Sequence, residues 1–102
     1  MARHMVREVV RFGHWDAYIA ANKAWNKEAV RLGMPAYRLY GSTWGTQNEA
    51  FFEADWESGA DIDAAFNAAM KDAAFKAATQ AFADHVVDGA SVNYLLAEES
   101  ID

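Results

Sequence analysis

Hydrophobic residues change their spacing several times along the chain, and each spacing predicts one element of secondary structure. Residues 5–12 are rich in β-branched side chains and contain no turn former, which predicts a first strand. From Trp15 to Leu32 the apolar positions recur every three to four residues, a spacing typical of a helix. Gly33 and Pro35 end that helix, because proline cannot continue the hydrogen-bond ladder.

Two more strands follow, over residues 36–44 and 49–57, and the polar residues 45–48 between them have the length of a hairpin connection. The later strand alternates strictly, so one face packs and the other is charged. The packing face carries Ala50, Phe52, Ala54 and Trp56, and the charged face carries Glu49, Phe51, Glu53, Asp55 and Glu57.

An alanine-rich helix is predicted over residues 62–87, with a capping box at 58–61. A straight helix of that length would measure about 39 Å, which is long for this domain, so we expect a break near residues 71–74. A last strand over 92–97 and a frayed acidic tail over 98–102 complete the chain. Helical spacing predicts a core that contains Trp15, Trp25, Phe66, Met70 and Phe82.

The order β-α-β-β-α-β predicts the α+β class and a ferredoxin-like fold, in which a four-stranded antiparallel sheet carries both helices on one face. Its first and third strands are neighbours. On the uncovered face the second strand presents aromatic side chains whichever way it faces, with either Tyr40 and Trp44 or Tyr37 outward. Because a large aromatic surface is seldom left to solvent, we expect a homodimer in which two sheets face each other.

Composition excludes several classes of site and partner. The chain has 102 residues, no cysteine and a net charge of −6, which predicts a single domain over 1–102 without disulfides and disfavours nucleic acid as a partner. No apolar stretch has the length of a membrane span, and we expect a cytoplasmic protein. We give residues 1–4 little weight, because an expression vector often supplies such a start.

Charge is distributed unequally along the chain. Residues 1–38 hold seven of the nine bases and three acids, whereas residues 39–102 hold two bases and twelve acids. We therefore expect the two parts to pair, with Arg7 and Arg11 of the first strand opposite Glu53, Asp55 or Glu57 of the third.

A few side chains are candidates for chemistry. His14 follows the first strand and is either a general acid or base or a histidine at a helix start. Glu53 and Asp55 lie two residues apart on one strand face, where they either exchange protons or pair with arginines such as Arg38. Tyr40 and Trp44 either stack on a flat ligand or fill a dimer interface. No metal site is expected, because the sequence has no His-x-His or His-Glu-x-x-His spacing, and we expect a structural role for His85 near a helix end.

Two short stretches carry a resemblance to a known superfamily. Residues 72–79 look like the second-helix segment of antibiotic-biosynthesis monooxygenases, and residues 45–48 followed by Trp56 are similar to the NIPSNAP-like pattern of glycine, asparagine and a later strand tryptophan. Together with the element order, they make the chain resemble the dimeric α/β-barrel superfamily, which also includes EthD-like and heme-degrading proteins. In the heme-degrading branch, a histidine stands in the place of Thr79 and a tryptophan in that of Ala69, so heme degradation is not expected.

The resemblance implies a homodimer that binds a small, flat, partly apolar metabolite without a cofactor. As a cofactor-independent oxygenase or isomerase-like enzyme, it would use His14 or Asp55 to remove a proton, and Arg38 and Tyr40 to stabilise the resulting charge. Trp44, Phe51 and Glu53 would bind the substrate. The alternative is a non-catalytic module for ligand binding or assembly. A second copy of the chain and a small molecule are the expected partners, and nucleic acid and membranes are not.

Overall fold

A computed structural model describes residues 1–42 and 47–101 and confirms the α+β class. Within the described residues the elements are, in chain order, β1 (Ala2–Val9), α1 (Trp15–Arg31), β2 (Arg38–Gly41), β3 (Glu49–Trp56), α2 (Gly59–Ala69), α3 (Ala73–Ala81) and β4 (Val92–Ala97). A 3-10 turn, Phe82–Asp84, follows α3.

The four strands form one antiparallel sheet in the order β2-β3-β1-β4, which is the ferredoxin-like arrangement. As predicted, the first and third strands are neighbours. All three helices pack on the same face of the sheet, and the molecule measures 40 × 39 × 21 Å. The short dimension reflects one sheet and one layer of helices.

The core lies between these two layers and centres on Trp25 of α1. Its indole ring contacts the rings of Tyr37, Phe52, Phe66 and Phe75, with centroid distances between 5.0 and 6.2 Å. Trp25 is buried, as predicted, and Phe66 is partly buried against the same cluster.

The prediction of a core position is wrong for one residue, and two other predicted core residues lie at the edge of the core. Met70 is 40% exposed, because it caps the C-terminal end of α2 where the chain leaves the helix. Trp15 and Phe82 are partly buried and pack against a smaller cluster around Tyr18.

The second helical region is broken, which confirms the expected break. α2 ends at Ala69, and Asp72 caps α3 by accepting a hydrogen bond from the backbone N–H of Phe75 at 3.0 Å. Half of the predicted capping box is also present, since Ser58 accepts from the N–H of Asp61 at 3.4 Å.

The predicted end of this helical region at residue 87 is wrong. α3 ends at Ala81, because the chain must turn back to the sheet: Val86 bridges Val10, and the N–H of Val87 donates to the carbonyl of Val9 at 2.8 Å.

Strand β1 begins earlier than the sequence pattern predicts. It starts at Ala2 instead of residue 5, so Arg3 and His4 pair with β3 on one side and β4 on the other. The predicted second strand over 36–44 is shorter, from Arg38 to Gly41. Trp44 and part of the hairpin connection at 45–48 lie outside the described residues.

Candidate functional site on the open sheet face

One face of the sheet carries none of the helices among the described residues. Even-numbered residues of β3, such as Phe52 and Trp56, belong to the core beneath the helices. Because side chains alternate along a strand and directly paired residues share a face, the register assigns the residues of the opposite face. We call it the open sheet face, and its members are Arg3, Met5, Arg7 and Val9 of β1, Arg38 and Tyr40 of β2, Glu49, Phe51, Glu53 and Asp55 of β3, and Val92, Tyr94 and Leu96 of β4.

Aromatic and apolar side chains lie among charged ones on the open sheet face. Tyr40 is 52% exposed and Tyr94 41%, although both belong to strands of the sheet. Phe51 lies directly opposite Tyr40 and is partly buried. Exposed aromatic surface of this kind marks a partner or ligand contact.

Asp55 lies between two arginines from separate strands. It accepts a hydrogen bond from Nε of Arg3 at 2.8 Å and from Nη2 of Arg38 at 3.4 Å. These contacts, with the hydrogen bond from Arg3 as the largest cause, hold the pKa of Asp55 below its usual range. Glu53 is 7% exposed and accepts from Arg38 at 3.3 Å. The geometry therefore favours the ion-pairing interpretation of both carboxylates, because each accepts a hydrogen bond from an arginine on a neighbouring strand.

Arg7 pairs with a different carboxylate from those expected. The register places it opposite Phe51, and its Nε donates to Glu49. Arg11 lies beyond the end of β1 and pairs with Asp88 at 3.7 Å. The predicted pairing of these two arginines with acids further along β3 is wrong, because β1 begins at Ala2 and Arg3 takes the place opposite Asp55.

A cleft of about 520 Å³ opens at the end of the open sheet face where β1 and β4 meet. Arg3, Asp55 and Leu96 line it, together with residues at the two ends of the chain. Its volume falls within the roughly 300–1,000 Å³ of small-molecule sites in proteins. The Arg3–Asp55 pair thus supplies a donor and an acceptor at the wall of a cleft.

His14 lies at the start of α1, where it meets a second histidine. Its Nδ1 is 3.1 Å from Nδ1 of His85, so one imidazole donates a hydrogen bond and the other accepts it. The backbone joins the same segments, since the N–H of Arg11 donates to the carbonyl of His85 at 2.9 Å. No described contact of His14 involves the open sheet face. The pair links the turn after β1 to the segment after α3.

A polar network on the helix side of the sheet was missed by the sequence analysis. Nε1 of Trp56 donates to the Tyr37 hydroxyl at 3.1 Å, and that hydroxyl is 2.7 Å from Nδ1 of His4. Nε2 of His4 donates to Oδ1 of Asn93 at 3.0 Å, and in a neutral imidazole Nδ1 then accepts from Tyr37. Burial raises the pKa of Tyr37 to about 12, which keeps its hydroxyl protonated. The alternation of β1 carries the signal, since His4 shares a face with Val6, but the low weight given to residues 1–4 hides it.

The structure brings together most of the residues that the sequence singles out. The open sheet face carries Arg38, Tyr40, Phe51, Glu53 and Asp55. His14 lies elsewhere, and Trp44 is outside the described residues. The roles assigned to these residues remain predictions.

Two further kinds of site, for metal ions and for membranes, concern the same described residues. There, no group of three or more His, Cys, Asp or Glu side chains is arranged to hold a metal ion. In the same part of the chain, no helix combines the length and apolar character needed to span a bilayer.

Solved structures share this fold at low sequence identity. An uncharacterized NIPSNAP domain protein from Burkholderia xenovorans matches with a TM-score of 0.81 and 13% identity over 100% of this chain and 98% of its own. A NIPSNAP family protein from Agrobacterium tumefaciens matches with a TM-score of 0.80 and 14% identity, over 99% and 88% of the two chains. An antibiotic biosynthesis monooxygenase matches with a TM-score of 0.73 and 12% identity, over 98% and 100%.

These similarities confirm the predicted ferredoxin-like fold. No family model and no curated protein matches the sequence. At such identities the likeness establishes the fold, and function must be argued from the site itself.

Proposed function

We propose that this chain forms a homodimer whose two open sheet faces meet and enclose a binding site for a small, flat, partly apolar molecule. The observation that carries the proposal is an uncovered sheet face on which Tyr40 and Tyr94 are half exposed. A second antiparallel sheet packed about 10 Å away would cover these side chains.

Charge balance supports a second copy as the partner. The open sheet face carries three arginines and three carboxylates, although the whole chain has a net charge of −6. Two such faces approach each other without net repulsion, whereas other parts of the surface of this acidic chain would repel. A two-fold dimer uses the same patch on both copies, so a locally neutral patch is suited to it.

The chemistry of the face supports a flat ligand with polar edges. Tyr40 and Tyr94 each offer a ring for stacking and a hydroxyl for hydrogen bonding. The Arg3–Asp55 pair adds a donor and an acceptor at the cleft described above. Because Asp55 is already neutralised by Arg3 and Arg38, these groups suit hydrogen bonding to a ligand better than proton abstraction.

A cofactor-independent oxygenase or isomerase is the second candidate. Arg38 and Tyr40 project from the same face of β2, and two such donors would stabilise an enolate or phenolate. The proton acceptor is the weak point of this candidate: the pKa of Asp55 is lowered, and Nδ1 of His14 is engaged by His85. Ligand binding is therefore the better supported function.

Sedimentation equilibrium tests the dimer. We expect the wild type to be a dimer at micromolar concentration and Tyr40→Asp to be a monomer, because the new carboxylate would be buried against the second sheet. Val30→Asp is the matched control: Val30 is 50% exposed on α1, and its replacement should leave the dimer intact. A monomeric wild type would overturn the proposal.

A crystal structure of the dimer separates a binding protein from an assembly module. A cavity between the sheets with Arg38 and Tyr40 at its wall supports ligand binding and justifies assays for turnover. An interior filled by Trp44 and Phe51 would leave only the assembly function.

A further inference from the structure

The contact between His14 and His85 joins two metal-ligating side chains that lie far apart in the sequence. Nδ1 of one ring is 3.1 Å from Nδ1 of the other, and the ring centroids are 5.4 Å apart. Both residues are partly buried, so the rings also reach solvent. Neutral imidazole is the commonest metal ligand among protein side chains and binds through either ring nitrogen. Two imidazoles in contact are therefore a candidate chelate.

The separation of the two nitrogens is close to the one that a single bound ion requires. Zn²⁺ bonds histidine nitrogen at about 2.0–2.1 Å with tetrahedral angles, so two nitrogens on one ion lie about 3.3–3.4 Å apart. The observed separation is 3.1 Å. The torsion that turns a histidine ring is soft, so rotation of the two rings is enough to direct both lone pairs at one ion.

Backbone hydrogen bonds hold the two histidines next to each other. The N–H of Arg11 donates to the carbonyl of His85 at 2.9 Å, and the N–H of His14 donates to the carbonyl of Arg11, also at 2.9 Å. One residue further along the chain, Val86 bridges Val10. A site whose ligands are already held together loses little conformational freedom on binding, which favours affinity.

Neither ring has a second role among the described residues. His14 is the N-cap residue of α1, but its side chain forms no capping hydrogen bond. No described residue forms a hydrogen bond with Nε2 of His14 or of His85. In the present contact one Nδ1 carries a proton and the other accepts it. When an ion takes both Nδ1 atoms, that proton leaves Nδ1 and the same ring takes up a proton at Nε2 from water, so both rings remain neutral.

We infer that His14 and His85 together bind one divalent transition-metal ion of the zinc type through their Nδ1 atoms. In residues 1–42 and 47–101, no third His, Cys, Asp or Glu joins them to complete a ligand set. The other positions on the ion therefore belong to water or to an external anion, as in zinc sites that keep an open position. The contact is made within one chain, so the site does not depend on the proposed dimer.

NMR spectroscopy of the histidine side chains tests this inference on the wild type. The chain has three histidines, and His4 is the internal reference because both of its ring nitrogens have partners within the chain. On titration with Zn²⁺, we expect the ring ¹⁵N signals of His14 and His85 to change together. Both rings should become metal-bound at Nδ1 and protonated at Nε2, while the signals of His4 stay in place.

Isothermal titration of variants with Zn²⁺ locates the site. The wild type should bind one ion per chain at this pair. His14→Gln and His85→Gln each leave a single ligand, and we expect each to weaken binding by at least about tenfold, since even the loss of an outer partner of a metal ligand weakens binding about 10–100-fold. His4→Gln removes the third histidine and is the matched control, which should bind zinc as the wild type does.

Three results would overturn the inference. Ring signals of His14 and His85 that do not move at millimolar Zn²⁺ would show that the pair holds only its shared proton. Zinc on Nε2 of either ring, or two ions per chain at these histidines, would show that they bind separately. A variant that fails to fold leaves the decision to the wild-type NMR titration, which needs no substitution.

Discussion

At the scale of single residues, Glu8 is a carboxyl group whose surroundings oppose its charge. It lies on the helix side of β1 and is 9% exposed, and it accepts a hydrogen bond from the Tyr18 hydroxyl at 2.8 Å. Burial raises the pKa of Glu8, although its hydrogen bonds with Tyr18 and Ser91 oppose the change. Burial, followed by the nearby charge of Glu8, also raises the pKa of Tyr18.

Replacing Glu8 by Gln should stabilise the fold at neutral pH. Since the pKa of Glu8 is higher in the folded than in the unfolded chain, the folded state binds the proton more tightly. That contribution to stability is present below the usual carboxyl range and is lost as pH rises through the raised pKa. Glu8→Gln keeps an acceptor for Tyr18 without the charge, so we expect a gain of about 1 kcal/mol in the free energy of unfolding at pH 7.

Urea denaturation between pH 4 and pH 8 checks this prediction. The wild type should lose stability relative to Glu8→Gln as pH rises, and the two should converge at the acidic end. Glu57→Gln, at an exposed position, is the control and should follow the wild type. A variant less stable than the wild type at pH 7 would show that the carboxylate is stabilising.

At the scale of elements, the register of β1 against β3 decides which charges meet. Local patterns correctly indicate a strand near the start and the two faces of β3, because alternation depends only on neighbours in the chain. They do not indicate that Arg7 lies opposite Phe51, because the register depends on contacts between distant residues. The same register places Arg3 opposite Asp55 and His4 within the polar network on the helix side of the sheet.

A double-mutant cycle between Arg7 and Glu49 should detect the ion pair that these two residues form. The side chains are 25% and 13% exposed, and Nε of Arg7 donates to the Glu49 carboxylate. We expect a coupling energy of about 0.5–3 kcal/mol between Arg7→Gln and Glu49→Gln in urea denaturation. The matched cycle between Arg7 and Glu53 should show coupling near zero, since Glu53 pairs with Arg38. Coupling to Glu53 alone would contradict the ion pair between Arg7 and Glu49.

At the scale of the whole molecule, the unequal charges of the two parts of the chain meet as the sequence predicts. Five arginines among residues 1–38 form ion pairs with acids beyond residue 38. The pairs are Arg3 with Asp55, Arg7 with Glu49, Arg11 with Asp88, Arg31 with Asp72, and Arg38 with Glu53 and Asp55. Mutual pairing accounts for the basic start of the chain.

The thermal stability of a homodimer depends on its concentration. If the open sheet faces of two copies meet, a tenfold increase in protein concentration should raise the Tm by a few degrees, because association stabilises the folded state by mass action. The Tm of Tyr40→Asp should not change with concentration. Differential scanning calorimetry at two concentrations makes the comparison, and a wild-type Tm without concentration dependence would count against the dimer.

The sequence by itself determined what depends on neighbours along the chain. The extent of α1, the alternation of β3 and the cap at Ser58 all follow from local spacing and local hydrogen bonds. The break before α3 follows from the length that an unbroken helix would have in a domain of this size. These local features define the element order, and that order predicts the ferredoxin-like fold with one uncovered sheet face.

Only the tertiary structure decided which distant residues meet. His14 and His85 are 71 positions apart, and neither predicts the other. Such contacts follow from strand register and helix packing, in which a shift of one residue changes every neighbour, so no local pattern can encode them.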